Sequence, residues 1–350
     1  MDNFIGNRRA VNILKRAIEQ DRLPHAMIFA GPAGVGKCTL ALMTAQVLNC
    51  PTPQNGNACG QCSTCRRITA YVESRHKECV NGANATCGVC PVCLGRNRRH
   101  PDIRLIEPDK KTAISIDQIR DIIAETAFQP LEARYRVAIL DPADQMRPEA
   151  QNSLLKTLEE PPSRTVIILI ATNPYMLLET IRSRARILPF GEIPVDRIAR
   201  RLAQNEGKSE QDALLAAALS GGSLGAAMEF NTTEYRDARE SAFEFITLLL
   251  SRRSFTRASV LAADAAKDKD LFRTWIESAA ALLRDIYYSG TATGRVGQRD
   301  IIEKLQALRQ KSRHSHLVRA IEAVNKLQAD LHYNVNRQIA LEALFLSLGR

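Results

Sequence analysis

Met27-Ile28-Phe29-Ala30-Gly31-Pro32-Ala33-Gly34-Val35-Gly36-Lys37-Cys38-Thr39 decides the fold. An apolar run ends in a glycine loop and a lysine, and residues 39–48 then read as a helix. Strand, loop and helix in that order are the context in which a phosphate-binding loop counts as such. Gly31, Gly34 and Gly36 let the backbone turn N–H groups toward phosphate oxygens, with the positive end of the following helix behind them. Lys37 is placed to reach the β- and γ-phosphates. Cys38 stands where such loops carry the Ser or Thr that holds magnesium. A thiol is a soft ligand and a poor partner for that hard cation. Thr39 comes one residue late, so its hydroxyl points elsewhere on the helix. The loop predicts a cradle for ATP or ADP without a well-placed metal.

Strand and helix go on alternating. Residues 103–106 read as a strand. Ser115-Ile116-Asp117-Gln118 is a capping box opening a helix with apolar positions Ile119, Ile122 and Ile123. Residues 137–140 form a continuously apolar, buried strand. Residues 148–159 read as a helix stopped by Pro161-Pro162, and 166–171 as another buried strand, followed by Thr172-Asn173. This order predicts an α/β domain, mainly parallel, with helices on both faces of the sheet. From about residue 191 strand signals vanish, and Ala- and Leu-rich helical patterns take over, with breaks at Gly221-Gly222 and near Ser289-Gly290. Trp275 lies in such a helix and is assigned to the core. The strand at 137–140 leads into Asp141, a residue able to hold a metal. Pro142 follows it where an active ATPase of this kind places a second carboxylate, and the nearest acid is Asp144.

At 350 residues the chain has room for two or three domains. An apolar content of 45% and a charged content of 25% describe an ordinary globular protein. There is no run of 18 apolar residues, and Met1-Asp2-Asn3 is unlike a signal peptide, so a cytoplasmic protein is expected. The net charge of +10 suits a phosphate-bearing partner, and a scattered basic surface suits it almost as well.

Nine cysteines in such a chain point to metal before disulfides. Apart from Cys38 they form two sets: Cys50, Cys59, Cys62 and Cys65, then Cys79, Cys87, Cys90 and Cys93. The triplets repeat at an offset of 28 residues and the leading cysteines at 29, which reads as a duplicated module. Four thiolates close a tetrahedral structural zinc site, so one zinc is expected in the first set and a second in the other. Two rivals fit the spacing: an iron–sulfur cluster, and a site in which His76 or His100 replaces a cysteine. Residues 66–104 carry eight Lys and Arg against three acids, with Arg96, Arg98 and Arg99 beside the second set. That composition fits a solvated loop slightly better than a nucleic-acid contact, since aromatic residues are not interleaved.

Several stretches resemble bacterial clamp-loader subunits of the AAA+ class. These are Leu23-Pro24-His25-Ala26, His100-Pro101-Asp102, the long string from Asn152 through Leu154-Leu155-Lys156-Thr157-Leu158-Glu159-Glu160 to Pro162, Ala171-Thr172-Asn173, and Thr180-Ile181-Arg182-Ser183-Arg184. The cysteines between the loop helix and the next strand are similar to that family too. The likeness covers residues 4 to about 230, and Asn334 to Ala343 extends it to the end of the chain. It implies an AAA+ domain over 1–190 with a Cys-rich zinc insertion at about 50–99, a helical lid over 191–230, and a helical collar over 231–350 that joins subunits. It also implies a hetero-oligomeric ring with motor subunits and a delta subunit, acting on a sliding clamp and primed DNA, with no membrane role.

Within the family, the residues fit a silent member better than a motor. Hydrolysis needs magnesium on the phosphates and a group that positions the attacking water. Cys38 and Pro142 supply neither, and Gly225 stands where motors carry a phosphate-sensing arginine. Asn173 resembles the family's first sensor. Ser183-Arg184 resembles the motif whose arginine enters the neighbouring subunit's ATP site, with Ala185 in place of the motif's Cys and Arg182 as a second bearer of part of the role. Two other readings stay open. One is an ATP-hydrolysing motor in which Thr39 and Asp144 compensate, and the other is a zinc-bearing nucleic-acid-binding protein on a P-loop scaffold.

Overall fold

A computed structural model of the chain describes residues 1–75, 100–108, 113–251, 253–290, 296–331 and 335–348. These residues fall into two compact units, Met1–Arg197 with Gly222–Gly225, and Ile198–Gly221 with Ala226–Arg350.

The first unit is built on five strands: β1 (Ala26–Ala30), β2 (Ile103–Ile106), β3 (Arg136–Leu140), β4 (Thr165–Ala171) and β5 (Arg186–Pro189). They pair in the order β2-β3-β4-β1-β5, every pair parallel. The order places β1 between β4 and β5, so the phosphate loop leaves the sheet one strand in from its edge. Strands β1, β3 and β4 are buried along their whole length, because helices cover both faces. Alternate residues serve opposite layers. Met27, Phe29, Val137, Ile139, Ile168 and Ile170 face α1 (Arg8–Glu19) and α2 (Lys37–Asn49). Ile28, Ala138, Leu140, Ile167 and Leu169 share the other core with α4 (Ile116–Thr126) and α5 (Pro148–Glu159). Each such aliphatic side chain contributes roughly 1.5–3 kcal/mol by leaving water. Helix α3 (Ser63–Arg75) lies within the cysteine-rich stretch, where Gln46 of α2 donates to Cys65 O at 3.0 Å.

The expected capping box opens α4. Ser115 Oγ accepts the Gln118 N–H at 3.2 Å, and Gln118 Oε1 accepts the Ser115 N–H at 2.9 Å. Strand β5 has no counterpart in the sequence reading. Its four residues expose three side chains and end in a proline, so neither an apolar run nor clean alternation marks it.

The second unit is helical. Trp275, on the helix Lys269–Ser289, packs edge-on to Phe245 at 5.3 Å and stacks with Phe272 at 6.4 Å. Its indole N–H donates to Ser241 Oγ at 3.2 Å, so the tryptophan belongs to the core as expected.

One buried ion pair fixes the entrance to β3. The Asp102 carboxylate accepts backbone N–H groups of Leu131, Glu132 and Ala133 at 2.8, 2.8 and 3.0 Å and a 3.1 Å bond from Arg136 Nη2. Arg136 also donates to the carbonyls of Glu125, Phe128 and Gln129, tying the end of α4 to the strand. Burial pushes the Asp102 carboxyl up, but the three N–H donors and Arg136 outweigh it, and its pKa is held below the usual range. Stabilisation from a depressed carboxyl is complete above its unfolded pKa of about 4 and disappears as pH falls through the lower folded value. Replacing Asp102 with Ala strands Arg136 in the interior and is expected to cost about 3–5 kcal/mol in urea unfolding at pH 7. The deficit should shrink on acidification, and a pH-independent deficit counts against this role.

Candidate functional site

The phosphate loop hangs from the C-terminal edge of the sheet. The Gly31 N–H donates to Ala171 O at 3.1 Å, and the Phe190 N–H to Ala30 O at 2.7 Å, so both neighbours of β1 hold the loop's root. Gly31 has φ +151°, and a Cβ there would lie 2.2 Å from Phe190 O. Gly34 and Gly36 also take positive φ, and α2 starts at Lys37, two residues earlier than the sequence suggested. Lys37 is buried and folds back on the loop, its Nζ donating to Gly31 O at 2.5 Å and Pro32 O at 2.6 Å. Burial lowers its pKa, while Asp141 and Asp144 push it up. Cys38 is buried at the start of α2 and Thr39 is exposed, so the Thr39 hydroxyl sits on the outer side of the helix.

The opposite wall is built by Asp141, Pro142 and Asp144 after β3, and by Thr172 and Asn173 after β4. Asp144 is already engaged. Its Oδ2 accepts the Thr172 N–H at 2.7 Å and the Asn173 N–H at 2.9 Å, which pins the end of β4 to the turn after β3. Asn173 uses its own Oδ1 to accept the Tyr175 N–H at 3.0 Å, capping the short turn Pro174–Met176. Asn173 Oδ1 and Asp144 Oδ2 thus serve the scaffold, while Asp144 Oδ1 is buried without a hydrogen bond. Gly225 lies on the loop itself: its N–H donates to Gly34 O at 3.0 Å, and a Cβ there would come within 3.3 Å of Gly34 Cα.

Arg184 stands elsewhere on this unit, just past the short helix α6 (Glu179–Arg182). It is exposed, and its Nη2 lies 2.7 Å from Glu159 Oε1 at the end of α5. Its Nη1 donates to Thr180 O at 3.1 Å and Ser183 Oγ at 3.2 Å. Arg182 takes a different course, its guanidinium 5.1 Å from the centre of the exposed Tyr175 ring. The two arginines are therefore not equivalent. Sequence reasoning missed Glu159 as the partner of Arg184, because 25 residues and a strand separate them and nothing local links the two. It also missed Gln151, whose side chain donates to Met146 O and Met176 O and accepts the Leu178 N–H, bracing the chain before α6.

The first cysteine set comes together as predicted. The sulfurs of Cys50, Cys59, Cys62 and Cys65 all lie within 4.8 Å of one another, a spacing a single ion can close. Backbone N–H groups point at the sulfurs: Cys59 to Cys50 at 3.3 Å, Cys62 to Cys59 at 3.4 Å, and Cys65 to Cys62 at 3.4 Å. N–H donors from Cys62 and Gln61 hold the Cys59 thiol down to about 6, while burial pushes Cys65 up. A donor set of four thiolates with N–H support fits a soft or borderline cation such as zinc. His100 is not part of it. It is buried, and its Nδ1 accepts the Asp102 N–H at 3.2 Å. Cys79, Cys87, Cys90 and Cys93, along with His76, Arg96, Arg98 and Arg99, lie outside the described residues.

Known proteins resemble the chain over this same architecture. It is 28% identical over 346 residues to DNA polymerase III subunit delta' of Bacillus subtilis, covering 97% of this chain and 95% of that one. It is 29% identical over 329 residues to the protein of that name from Pseudomonas aeruginosa, covering 92% and 90%. Likeness to subunit tau of B. subtilis is 30% over 201 residues, 57% of this chain but only 31% of tau. The sequence profile described as "DNA polymerase III, delta subunit" matches residues 6–79 and 70–194, which together take in the loop, the cysteine cluster, the engaged Asp144 and Arg184. With more than half of its length matched in this way, the chain belongs to that DNA polymerase III delta subunit family.

Proposed function

We propose that the chain is a delta-prime-type clamp-loader subunit that does not hydrolyse ATP and acts on its neighbour's nucleotide through Arg184. The observation that carries this reading is the state of the wall opposite the phosphate loop. Pro142 brings no acid, and Asp144, the next carboxylate along the chain, gives its Oδ2 to the Thr172 and Asn173 N–H groups. A metal there would meet the Asp141 carboxylate and, from Cys38, only a thiol. Arg184, by contrast, is exposed and carries a charge that an incoming phosphate can use. An arginine supplied in trans stabilises charge developing on a transferring phosphoryl group.

In this reading the subunit sits in a ring with motor and delta subunits and helps load a sliding clamp onto primed DNA in the cytoplasm. The near full-length likeness to delta' proteins, against partial likeness to tau, supports it. Residues 1–190 form the AAA+ domain, 191–230 the lid and 231–350 the collar. Gly31, Gly34, Gly36 and Lys37 hold ATP or ADP without turnover, Lys37 leaving the loop carbonyls to do so. Zinc occupies Cys50, Cys59, Cys62 and Cys65, and the second cysteine set takes another. No helix among the described residues is long and apolar enough to cross a membrane.

The purified chain is expected to show no ATP turnover above background, and Lys37→Ala should change nothing in that assay. Turnover abolished by Lys37→Ala would establish the motor reading instead. In the reconstituted complex, Arg184→Ala should slow hydrolysis at the site it serves by about 10³-fold with the melting temperature unchanged. Metal analysis should find zinc, and Cys65→Ser should lower the content by one ion per chain. An unchanged content would place the metal elsewhere.

A further inference from the structure

Arg184 is parked on its own chain. Phosphate is gripped best by paired N–H groups from the guanidinium's ends. Here both terminal nitrogens are occupied, Nη2 by Glu159 at 2.7 Å and Nη1 by Thr180 O and Ser183 Oγ. The Thr180 and Ser183 contacts are local and neutral. The Glu159 contact is the charged one, and it joins the end of α5 to the residue beyond α6 across the intervening strand.

We propose that Glu159 is a charge gate on Arg184, a positioning residue that holds the guanidinium until a more highly charged polyphosphate displaces it. The proposal rests on the reading of Arg184 as acting on a neighbour's nucleotide. The pair is suited to the task because it is weak. With side-chain exposures of 37% and 49%, it is open to water and salt, and such pairs hold little energy. A carboxylate of charge −1 in that setting loses to a triphosphate at a partly dehydrated subunit interface, and it competes better against a diphosphate. Glu159 therefore makes engagement of the neighbour depend on which nucleotide the neighbour carries. Arg182 is no substitute, since it is committed to the Tyr175 ring.

The test is a double-mutant cycle on the full chain, measuring its affinity for a purified tau-type subunit loaded with ADP or with a non-hydrolysable ATP analogue. Glu159→Gln is expected to tighten binding to the ADP-loaded partner by about two- to fivefold, the range open to an exposed ion pair. The gain with the ATP analogue should be at least as large, because the triphosphate breaks the pair whenever it engages Arg184, and in an Arg184→Ala background it should vanish. Glu159 is exposed, so unfolding is no confound, and a melting curve checks this. Unchanged or weaker binding by Glu159→Gln overturns the gate. So does equal tightening in the Arg184→Ala background, which would be a general charge effect. Full ATPase activity in a complex carrying Arg184→Ala overturns the finger reading and the gate with it. Normal loss in that complex, combined with a flat Glu159 response, overturns the gate alone.

Discussion

The phosphate loop and the groups beside it depend on one constraint, a parallel sheet sealed on both faces. Helices α1 and α2 cover one side and α4 and α5 the other, so the strands have no free face on which to carry a site. These groups are left with the C-terminal edge, where parallel strands all end together. Ala30 passes into the phosphate loop there, Leu140 into Asp141, and Ala171 into Thr172 and Asn173. The edge is tied into one piece by the Gly31 N–H on Ala171 O and by Asp144 across the ends of β3 and β4. At the other end of the sheet the buried Asp102–Arg136 pair anchors the start of β3, which keeps that strand's register with β4.

What was legible in the sequence follows from the same constraint. Strands β1, β3 and β4 could be read directly because burial on both faces demands continuous apolar runs. The capping box of α4 and the four clustered thiols were legible because both are local, set by spacings of a few residues. Strand β5 was not, since an edge strand has one neighbour and little apolar demand. The duties of Asp144 and Glu159 were not legible either. In the sequence, Asp144 looks like a displaced catalytic acid, and only the position of β4 shows that its oxygen is committed to two backbone N–H groups. Glu159 looks like part of a helix-ending Glu-Glu-Pro-Pro string, and only the fold brings Arg184 to it. Pairings across an intervening strand leave no trace in spacing.

The phosphate loop is held in place by the protein's own packing. Its glycines are commonly taken as a sign that nucleotide binds, yet two of the close approaches here involve protein alone. A side chain at 31 would strike the carbonyl of Phe190 on the neighbouring strand's exit, whatever lay in the cradle. A Cβ at 225 would sit a tight 3.3 Å from Gly34 Cα. Phe4 packs against Gly36 from beneath, and Lys37 bonds to the loop's own carbonyls. The loop is thus a structural joint between β1, β4, the exit of β5 and the 222–225 segment. Mutational damage there would unfold the joint as readily as it would empty the site.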